Sequence, residues 1–401
     1  MHRIPRLRPA RRHATLAALA ALALGLLSAC GGDEGAGSTR LSPMAALGEQ
    51  IFHDVSLSAS GRMACATCHA PEAGHATDDP DLLVPAGGAG LDVPGTRNAP
   101  SLRYLALNPA FFFDAEGTPT GGFNRDGRAA SLQAQAAVPL LAAHEMANAS
   151  AEALAGRLAG ASYVATFKQI FGADILSRPQ DALDRVTLAL QHYQREDPAF
   201  APFDSKYDAF LRGQATLSER ELRGLALFND PSKGNCAACH PSGRGADGSL
   251  PLFTDFSYDN LGVPRNAQIP ANADPNYYDL GLCGPTRSDL SDRTELCGAF
   301  KVPSLRNVAV TAPYFHNGRF KTLRESLRFY VRRDTHPEEF YPLDGSGGVN
   351  KFDDLPAAYR GNVNTTEVPY DRRPGQAPRL DDAEIDLVLE LLNTLTDGYR
   401  P

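Results

Sequence analysis

Apolar side chains recur at helical spacing in six stretches of this chain, and each stretch predicts an amphipathic helix. Residues 217–229 and 381–395 are the clearest, because Ser218 with Glu221 and Asp381 with Glu384 have capping-box spacing ahead of an apolar face. The other predicted helices span 46–52, 151–171, 180–195 and 323–330. Strand-like alternation is weak throughout. The pattern therefore predicts a mainly α fold.

Between these helices the chain is rich in residues that break regular structure. Residues 241–300 show little periodicity and many Gly, Pro, Asp and Asn residues, which indicates an irregular insertion. The 36 glycines and 30 prolines predict long ordered loops joining modest helices. A chain of 401 residues is long enough for two domains, each with its own core.

The first 29 residues have the pattern of a signal peptide. An uncharged Ala/Leu run at 14–29 follows a basic region that contains Arg3, Arg6, Arg8, Arg11 and Arg12. The run ends at Leu27-Ser28-Ala29-Cys30, which resembles a bacterial lipobox with Cys30 as the lipidated residue; the alternative is a plain signal peptide with an incidental cysteine. Residues 30–40 then form a lipoprotein tether. Both alternatives predict an exported protein.

The net charge of the chain indicates which kinds of binding partner to expect. Removing the five positive charges of residues 1–29 from the formal net charge of −8 leaves −13 on the remaining chain. Such an acidic surface argues against nucleic acid as a partner and favours a partner with a basic face.

The positions of the cysteines indicate which cofactor the protein binds. Residues 65–69 and 236–240 both read C-x-x-C-H, with the sets Cys65, Cys68, His69 and Cys236, Cys239, His240. This spacing lets two thiols form thioethers to haem vinyl groups while the histidine ligates iron, so we predict two haem c groups. A zinc site would gather its cysteine pairs within tens of residues, and a thioredoxin-like pair would not need the trailing histidines.

Two further cysteines, Cys283 and Cys297, enclose a polar loop. In an oxidising compartment we expect them to form a disulfide. The alternative is a pair of free buried thiols.

Several other stretches resemble the bacterial di-haem cytochrome c peroxidase family, including its MauG-type branch and the related methanobactin-operon di-haem proteins. They are RNAPSL at 97–102, DGRA at 126–129, PSLRNV at 303–308 and PYFHNG at 313–318. The resemblance runs from about residue 41 to 398. It implies two cytochrome c-like domains with one covalent haem each. Residues 41–203 would hold the peroxidatic haem, and residues 204–401, including the insertion 241–300, would hold the second haem.

The resemblance also implies roles for single residues. His69 and His240 would be the proximal iron ligands. Glu145 would be the distal acid/base with Gln135 beside it, because cleavage of peroxide requires a proton to move from one oxygen to the other. Without the resemblance, Glu145 would be interpreted as a solvated surface carboxylate. Gly90 falls where conventional peroxidases have the histidine that blocks the resting iron, which predicts an open site.

A calcium ion between the haems is another implication of the resemblance. Asn98 would bind it through its side-chain oxygen, and Thr311 and Pro313 through their backbone carbonyls. Hard oxygen donors of this kind suit Ca²⁺.

Two departures from the common family pattern help to decide which branch of the family the chain resembles. The second half of the chain contains no methionine, and Tyr330 stands where an axial methionine would lie, as in the MauG-type branch. A phenolate ligand favours high oxidation states; the alternative interpretation is an ordinary aromatic residue on a helix face. Arg125 replaces the tryptophan that commonly lies between the haems, in a chain with no tryptophan. Charge sharing through an indole is therefore excluded.

The sequence thus predicts a MauG-like enzyme that uses hydrogen peroxide to form a high-valent haem state and oxidises a periplasmic protein or another bulky donor. One alternative is a conventional peroxidase that takes electrons from a periplasmic cytochrome c or cupredoxin. The other is a non-enzymatic electron carrier, against which Glu145 and Gln135 argue. We expect the protein on the periplasmic side, anchored by Cys30 to the outer membrane of a Gram-negative bacterium.

Overall fold

The computed structural model describes residues 40–79, 81 and 84–400, and these form a mainly α fold with long loops. The predicted signal peptide and Cys30 lie outside the described residues, as does the tether except for Arg40. Within the described part, no helix has both the length and the apolar composition needed to cross a membrane.

Ten α-helices occur among the described residues. In chain order they are α1 Pro43–Phe52, α2 Cys65–Cys68, α3 Leu132–Leu141, α4 Ala151–Leu158, α5 Val164–Phe171, α6 Pro179–Glu196, α7 Lys206–Leu211, α8 Glu219–Asn229, α9 Leu323–Arg332 and α10 Asp382–Asn393. The sequence-predicted capping boxes cap α8 and α10, with Ser218 and Asp381 as the N-cap residues.

The helix predictions differ from the structure in two ways. The predicted single helix 151–171 is wrong, because the chain leaves helical geometry between α4 and α5, around Gly160. The helices α2, α3 and α7 were not predicted, and α2, at the first C-x-x-C-H motif, is only four residues long. α3 contains Pro139, which disfavours a helix interior, and α7 is only six residues long.

Six strands of two residues each form three antiparallel pairs in the described chain. The pairs are β1 Ala86–Gly87 with β2 Val93–Pro94, β3 Phe112–Phe113 with β4 Pro119–Thr120, and β5 Tyr258–Asp259 with β6 Phe300–Lys301. These short strand pairs therefore bury little surface, and their role is to hold the loops that they join in place. Segment 241–300 otherwise contains 3₁₀ turns and irregular chain, and a disulfide joins Cys283 to Cys297 within it.

Apolar side chains gather into two main cores. The first is built on α1, α4 and α6, and the second on α8, α9 and α10. Fully buried members of the first core include Leu47, Phe52, Phe167 and Val186, and those of the second include Phe228, Phe329, Ile385 and Leu391. Burial of this apolar surface is the main driving force for folding.

A glycine lies at the central helix crossing of each core. A Cβ at Gly48 on α1 would lie 2.1 Å from the carbonyl oxygen of Ala189 on α6. A Cβ at Gly224 on α8 would lie 2.1 Å from the carbonyl oxygen of Leu387 on α10. Each pair of helices therefore packs backbone against backbone, and a buried phenylalanine follows each glycine at i+4, Phe52 and Phe228.

A buried polar cluster ties distant segments of the chain together. The guanidinium of Arg306 donates to both carboxylate oxygens of Asp208 at 2.9 and 2.8 Å. The same guanidinium lies 4.7 Å from the ring centroid of Tyr104. Tyr104 in turn donates to Asp397 at 2.7 Å. Because the side chains of Arg306 and Asp208 are only 1% and 0% exposed, each charge depends on the other for compensation.

Candidate functional site

Both C-x-x-C-H histidines are held in the same way. The ring Nδ1 of His69 lies 3.2 Å from the carbonyl oxygen of His75, and the Nδ1 of His240 lies 2.7 Å from that of Phe253. A carbonyl can only accept, so Nδ1 carries the hydrogen and Nε2 is left with its lone pair for a metal. The backbone therefore selects the ligand-competent tautomer at both motifs.

The surroundings keep these groups uncharged. Burial lowers the pKa of His69 to about 4 and also lowers the pKa of His240. Burial raises the pKa of Cys236 to about 12. The four motif cysteines form no disulfide. Neutral imidazole beside two thiols is the donor set that a covalently attached haem requires.

The second motif opens into a cavity of about 210 Å³. Its walls include Cys236, Cys239 and His240, and also Tyr330 from α9. Its lining, within the part of the chain that the structure describes, contains no methionine. Burial raises the pKa of Tyr330 well above its ordinary value, and its ring stacks on that of Phe315 at 5.7 Å between centroids. The structure thus brings together the imidazole and the phenol that the sequence assigns to one iron.

The fit of a haem to this cavity can be judged from its polar atoms. His316 lines the cavity, is stacked on Phe300 at 3.8 Å, and has an Nε2 atom that is buried without a partner. Native proteins pair nearly all buried polar atoms, so an orphaned one points to a bound group.

Glu145 lies in the loop after α3, close to the first motif. Its carboxylate adds to the effect of burial in raising the pKa of Cys68 to about 11. Burial raises the pKa of Glu145, against the opposing charges of His144 and Arg128, and its Oε2 is a second buried atom without a partner. The carboxyl is thus a desolvated group beside the motif and not a solvated one.

A small hairpin, β1 with β2, covers the backbone of this loop. Gly88 donates from its amide to the carbonyl of Glu145 at 2.9 Å, and a Cβ at Gly87 would lie 2.5 Å from the same oxygen. Gly90 lies exposed in the turn of the hairpin. Gln135 is half-buried on α3, and no hydrogen bond joins it to Glu145 within residues 84–400.

His75 lies on the side of the His69 ring that carries Nδ1. Its carbonyl holds the Nδ1 of His69, while its own ring packs 4.1 Å from the ring of Phe200. The side chain is 1% exposed. His75 therefore belongs to the support of the first motif.

The three residues assigned to calcium lie on two segments that meet. The backbone N–H of Asn98 donates a 2.8 Å hydrogen bond to the backbone carbonyl of His316. Its side-chain Nδ2 is 2.5 Å from the carbonyl oxygen of Pro313, and its Oδ1 is buried without a partner. Thr311 lies two residues earlier on the same segment. A side-chain amide rotated by 180° would direct Oδ1 and the carbonyl of Pro313 to a common point.

Several cavity residues were not predicted from the sequence. Lys301 lines the second cavity, although the sequence shows only a lysine beside PSLRNV. Tyr370 also lines it, with its ring 6.1 Å from that of Tyr330. Arg125, noted only for replacing a tryptophan, lines the same cavity. Lys301 lies within the stretch FKVPSL at 300–305, and this position was the one signal in the sequence that could have identified it.

Comparisons with known proteins agree with this architecture. The family model for di-haem cytochrome c peroxidase matches residues 42–216. The methylamine utilization protein MauG of Paracoccus denitrificans is 38% identical over 397 residues, 96% of each chain. The cytochrome c551 peroxidase of Nitrosomonas europaea is 31% identical and covers 74% of this chain and 76% of its own. The crystal structure of the diheme peroxidase BthA from Burkholderia thailandensis superimposes with a TM-score of 0.82 at 40% identity, covering 90% of this chain and 87% of its own.

Proposed function

Because the chain belongs to the di-haem cytochrome c peroxidase family, a family of haem oxidoreductases, we propose that it uses hydrogen peroxide to oxidise a protein or another bulky donor. The observation that carries this proposal is the second cavity, which Tyr330 and His240 share and whose lining includes no methionine from residues 40–79, 81 and 84–400. A phenolate favours ferric and higher oxidation states, whereas a thioether would favour the reduced state that electron transfer from a cytochrome requires.

In this proposal residues 41–203 and 204–401 are two cytochrome c-like domains, each with one haem c. Cys65, Cys68 and His69 would hold the first haem, and Cys236, Cys239 and His240 would hold the second, with Tyr330 as its other axial ligand. A haem at His69 supplies redox-active iron that peroxide can oxidise. The protein's contribution there is to keep His69 neutral, which burial does, and to orient its ring, which the carbonyl of His75 does.

Glu145 would move the proton that peroxide cleavage requires. It would take a proton from one peroxide oxygen and return it to the other, which leaves as water. The raised pKa of this buried carboxyl suits a group that must both accept and release a proton. Gln135 would supply an amide beside it.

Calcium would occupy the junction of the two segments that carry Asn98, Thr311 and Pro313. The support is the unpartnered Oδ1 of Asn98 beside the carbonyl of Pro313. Oxygen donors from an amide and from backbone carbonyls are typical of Ca²⁺ ligands. The ion would fix the segment that contains His316 against the one that contains Asn98.

We place the enzyme on the periplasmic side, exported through residues 1–29 and anchored to the outer membrane through a lipid on Cys30. The basis is the leader pattern in the sequence. Peroxide and a periplasmic redox partner or protein substrate would be its reactants.

A conventional peroxidase function is the second candidate. The similarity to the cytochrome c551 peroxidase of N. europaea favours it. The two functions differ in whether the oxidised protein must first accept an electron before it reacts with peroxide.

Peroxide reactivity of the oxidised protein tests the proposal. Oxidised protein is mixed with hydrogen peroxide in a stopped-flow instrument, with and without reduced cytochrome c, and the Soret band is followed. We expect a spectral change without prior reduction, slowed by roughly a hundredfold or more in Glu145→Gln. Glu116→Gln, an exposed matched variant, should react at the wild-type rate. Reaction only after reduction would support the conventional peroxidase, and an unchanged rate in Glu145→Gln would exclude this residue as the proton carrier.

A further inference from the structure

Two half-buried cations on the wall of the second cavity have no carboxylate partner among the described residues. Arg125 and Lys301 both line the cavity and belong to no ion pair there. By contrast, a carboxylate pairs with each of the buried side chains of Arg287, Arg306 and Arg333 and with the half-buried side chain of Arg97. Burial and the charge of Arg125 lower the pKa of Lys301 to about 7, as expected for a cation without a counter-charge.

The backbone holds both cations in place. Arg125 donates from Nε to the carbonyl of Asn98 at 3.1 Å, and Lys301 donates from Nζ to the carbonyl of Gly122 at 2.7 Å. The amide of Lys301 also donates to the carbonyl of Arg125 at 2.9 Å. Each bond uses one donor only. The Nη groups of Arg125 and the other Nζ hydrogens of Lys301 therefore remain for a ligand.

The nearest carboxylates are already engaged. Asp279 accepts from Arg97 at 2.6 and 2.7 Å, and Asp126 accepts from Arg97 and Arg128 at 2.7 and 2.9 Å. Four cations in this cluster therefore face two carboxylates, which leaves a formal excess of two positive charges. A ligand with two negative charges would balance the cluster.

The remaining acidic side chains of the cavity do not supply that balance. In the β5–β6 pair, Lys301 lies opposite Tyr258, whereas Asp259 lies opposite Phe300, so the lysine and this aspartate are on different faces. Asp354 is paired with Arg265 at 2.9 Å. Glu367 is exposed. The ligand's negative charge must therefore come from outside the protein.

We propose that Arg125 and Lys301 bind the two carboxylates of the porphyrin held in the second cavity. The inference rests on the proposed function to the extent that a haem occupies this cavity. Haem carries two propionates, which equals the excess of two positive charges, and guanidinium and ammonium groups are the side chains that bind carboxylates most strongly. At the position where the family commonly has a tryptophan, this chain thus has a cation that anchors the haem and adds positive charge beside it.

The test uses the holo-protein and does not require turnover. Arg125→Gln, Lys301→Gln and the double variant are compared with Arg223→Gln and Lys168→Gln, which remove the same charges from exposed positions. Mass spectrometry first establishes the haem adduct at Cys236 and Cys239. The reduction potential of the second haem is then measured by spectroelectrochemical titration, and its propionate bending bands by resonance Raman spectroscopy.

We expect every variant to retain the adduct. At a fixed electrode potential the ratio of reduced to oxidised second haem should fall about tenfold in each cavity variant, which corresponds to about 59 mV, because loss of a nearby positive charge favours ferric iron. The propionate bands should shift in these variants and stay unchanged in the surface variants. Arg125→Lys and Lys301→Arg, which keep the charge, should restore most of the potential.

Three outcomes would overturn the inference, and they differ in what else they affect. An adduct present with potential and propionate bands unchanged in the double variant would refute the carboxylate site and leave the proposed function intact. A potential in the wild-type protein that shifts on titration with inorganic phosphate would show that the cations bind free anions and not the porphyrin. A chain without haem at Cys236 and Cys239 would refute both.

Discussion

Replacing Gly48 with alanine should destabilise the first core. The added Cβ would lie 2.1 Å from the carbonyl oxygen of Ala189 and 2.8 Å from the Cβ of Tyr193, so α1 and α6 must separate by roughly 1 Å to reach ordinary contact. Overpacking of this kind costs about 3 kcal/mol when the obstructing atoms are helix backbone. Removing a glycine from a helix interior returns about 1 kcal/mol. The expected net loss is about 2 kcal/mol, or roughly 5 °C in the unfolding midpoint.

Differential scanning calorimetry of the holo-protein measures this loss against a matched control. Gly156 is an exposed glycine on α4, and a Cβ there meets nothing within 4 Å, so Gly156→Ala should raise the midpoint slightly. Gly224→Ala should act on the second core as Gly48→Ala acts on the first. If the two cores belong to separate domains, each variant should lower a different transition. A midpoint of Gly48→Ala at or above the wild-type value would refute the close-packing argument.

Three further predictions concern other parts of the molecule. Arg306→Met should cost about 3–5 kcal/mol in urea unfolding at neutral pH, because it leaves the carboxylate of Asp208 buried without a partner. Burial alone would raise the pKa of Asp208, but the hydrogen bonds and charge of Arg306 outweigh this effect and hold the pKa below its usual value. The stability that the ion pair contributes should therefore be lost as the pH falls through that lowered pKa, and a loss of stability in Arg306→Met that persists in acid would contradict this. Tyr330→Phe should change the low-spin electron paramagnetic resonance signal of one haem, and a spectrum identical to wild type would eliminate the tyrosine as a ligand. Removing calcium with a chelator should slow the reaction with peroxide, with recovery on adding Ca²⁺ but not Mg²⁺; a calcium-free protein of full activity would argue against the site at Asn98.

The sequence predicted those features that depend on short-range patterns. Helices α8 and α10 were located because their capping boxes and apolar faces are local. The C-x-x-C-H motifs are equally local, and their histidines lie in the surroundings that a haem ligand requires. Family-like stretches then directed attention to Glu145 and Tyr330, which the structure places beside the first motif and in the second cavity.

What the sequence could not predict depends on contacts between distant residues. Lys301 reaches the carbonyl of Gly122 across 179 positions, and only the folded chain brings them together. The helix α3 continues through Pro139 because packing overrides local preference. The glycines at the helix crossings, Gly48 and Gly224, are ordinary helix residues in the sequence and acquire meaning only from the backbone that lies against them.

The carbonyl anchors of the two histidines have a consequence for the order of folding. His69 is anchored six residues further along the chain, at His75, and His240 is anchored thirteen residues further along, at Phe253. Closing the longer loop costs about 0.7 kcal/mol more chain entropy. In a newly exported chain either ring nitrogen of each histidine is free to react. The first histidine should therefore reach its final tautomer sooner, and the second should be the more exposed to capture by the wrong metal during maturation.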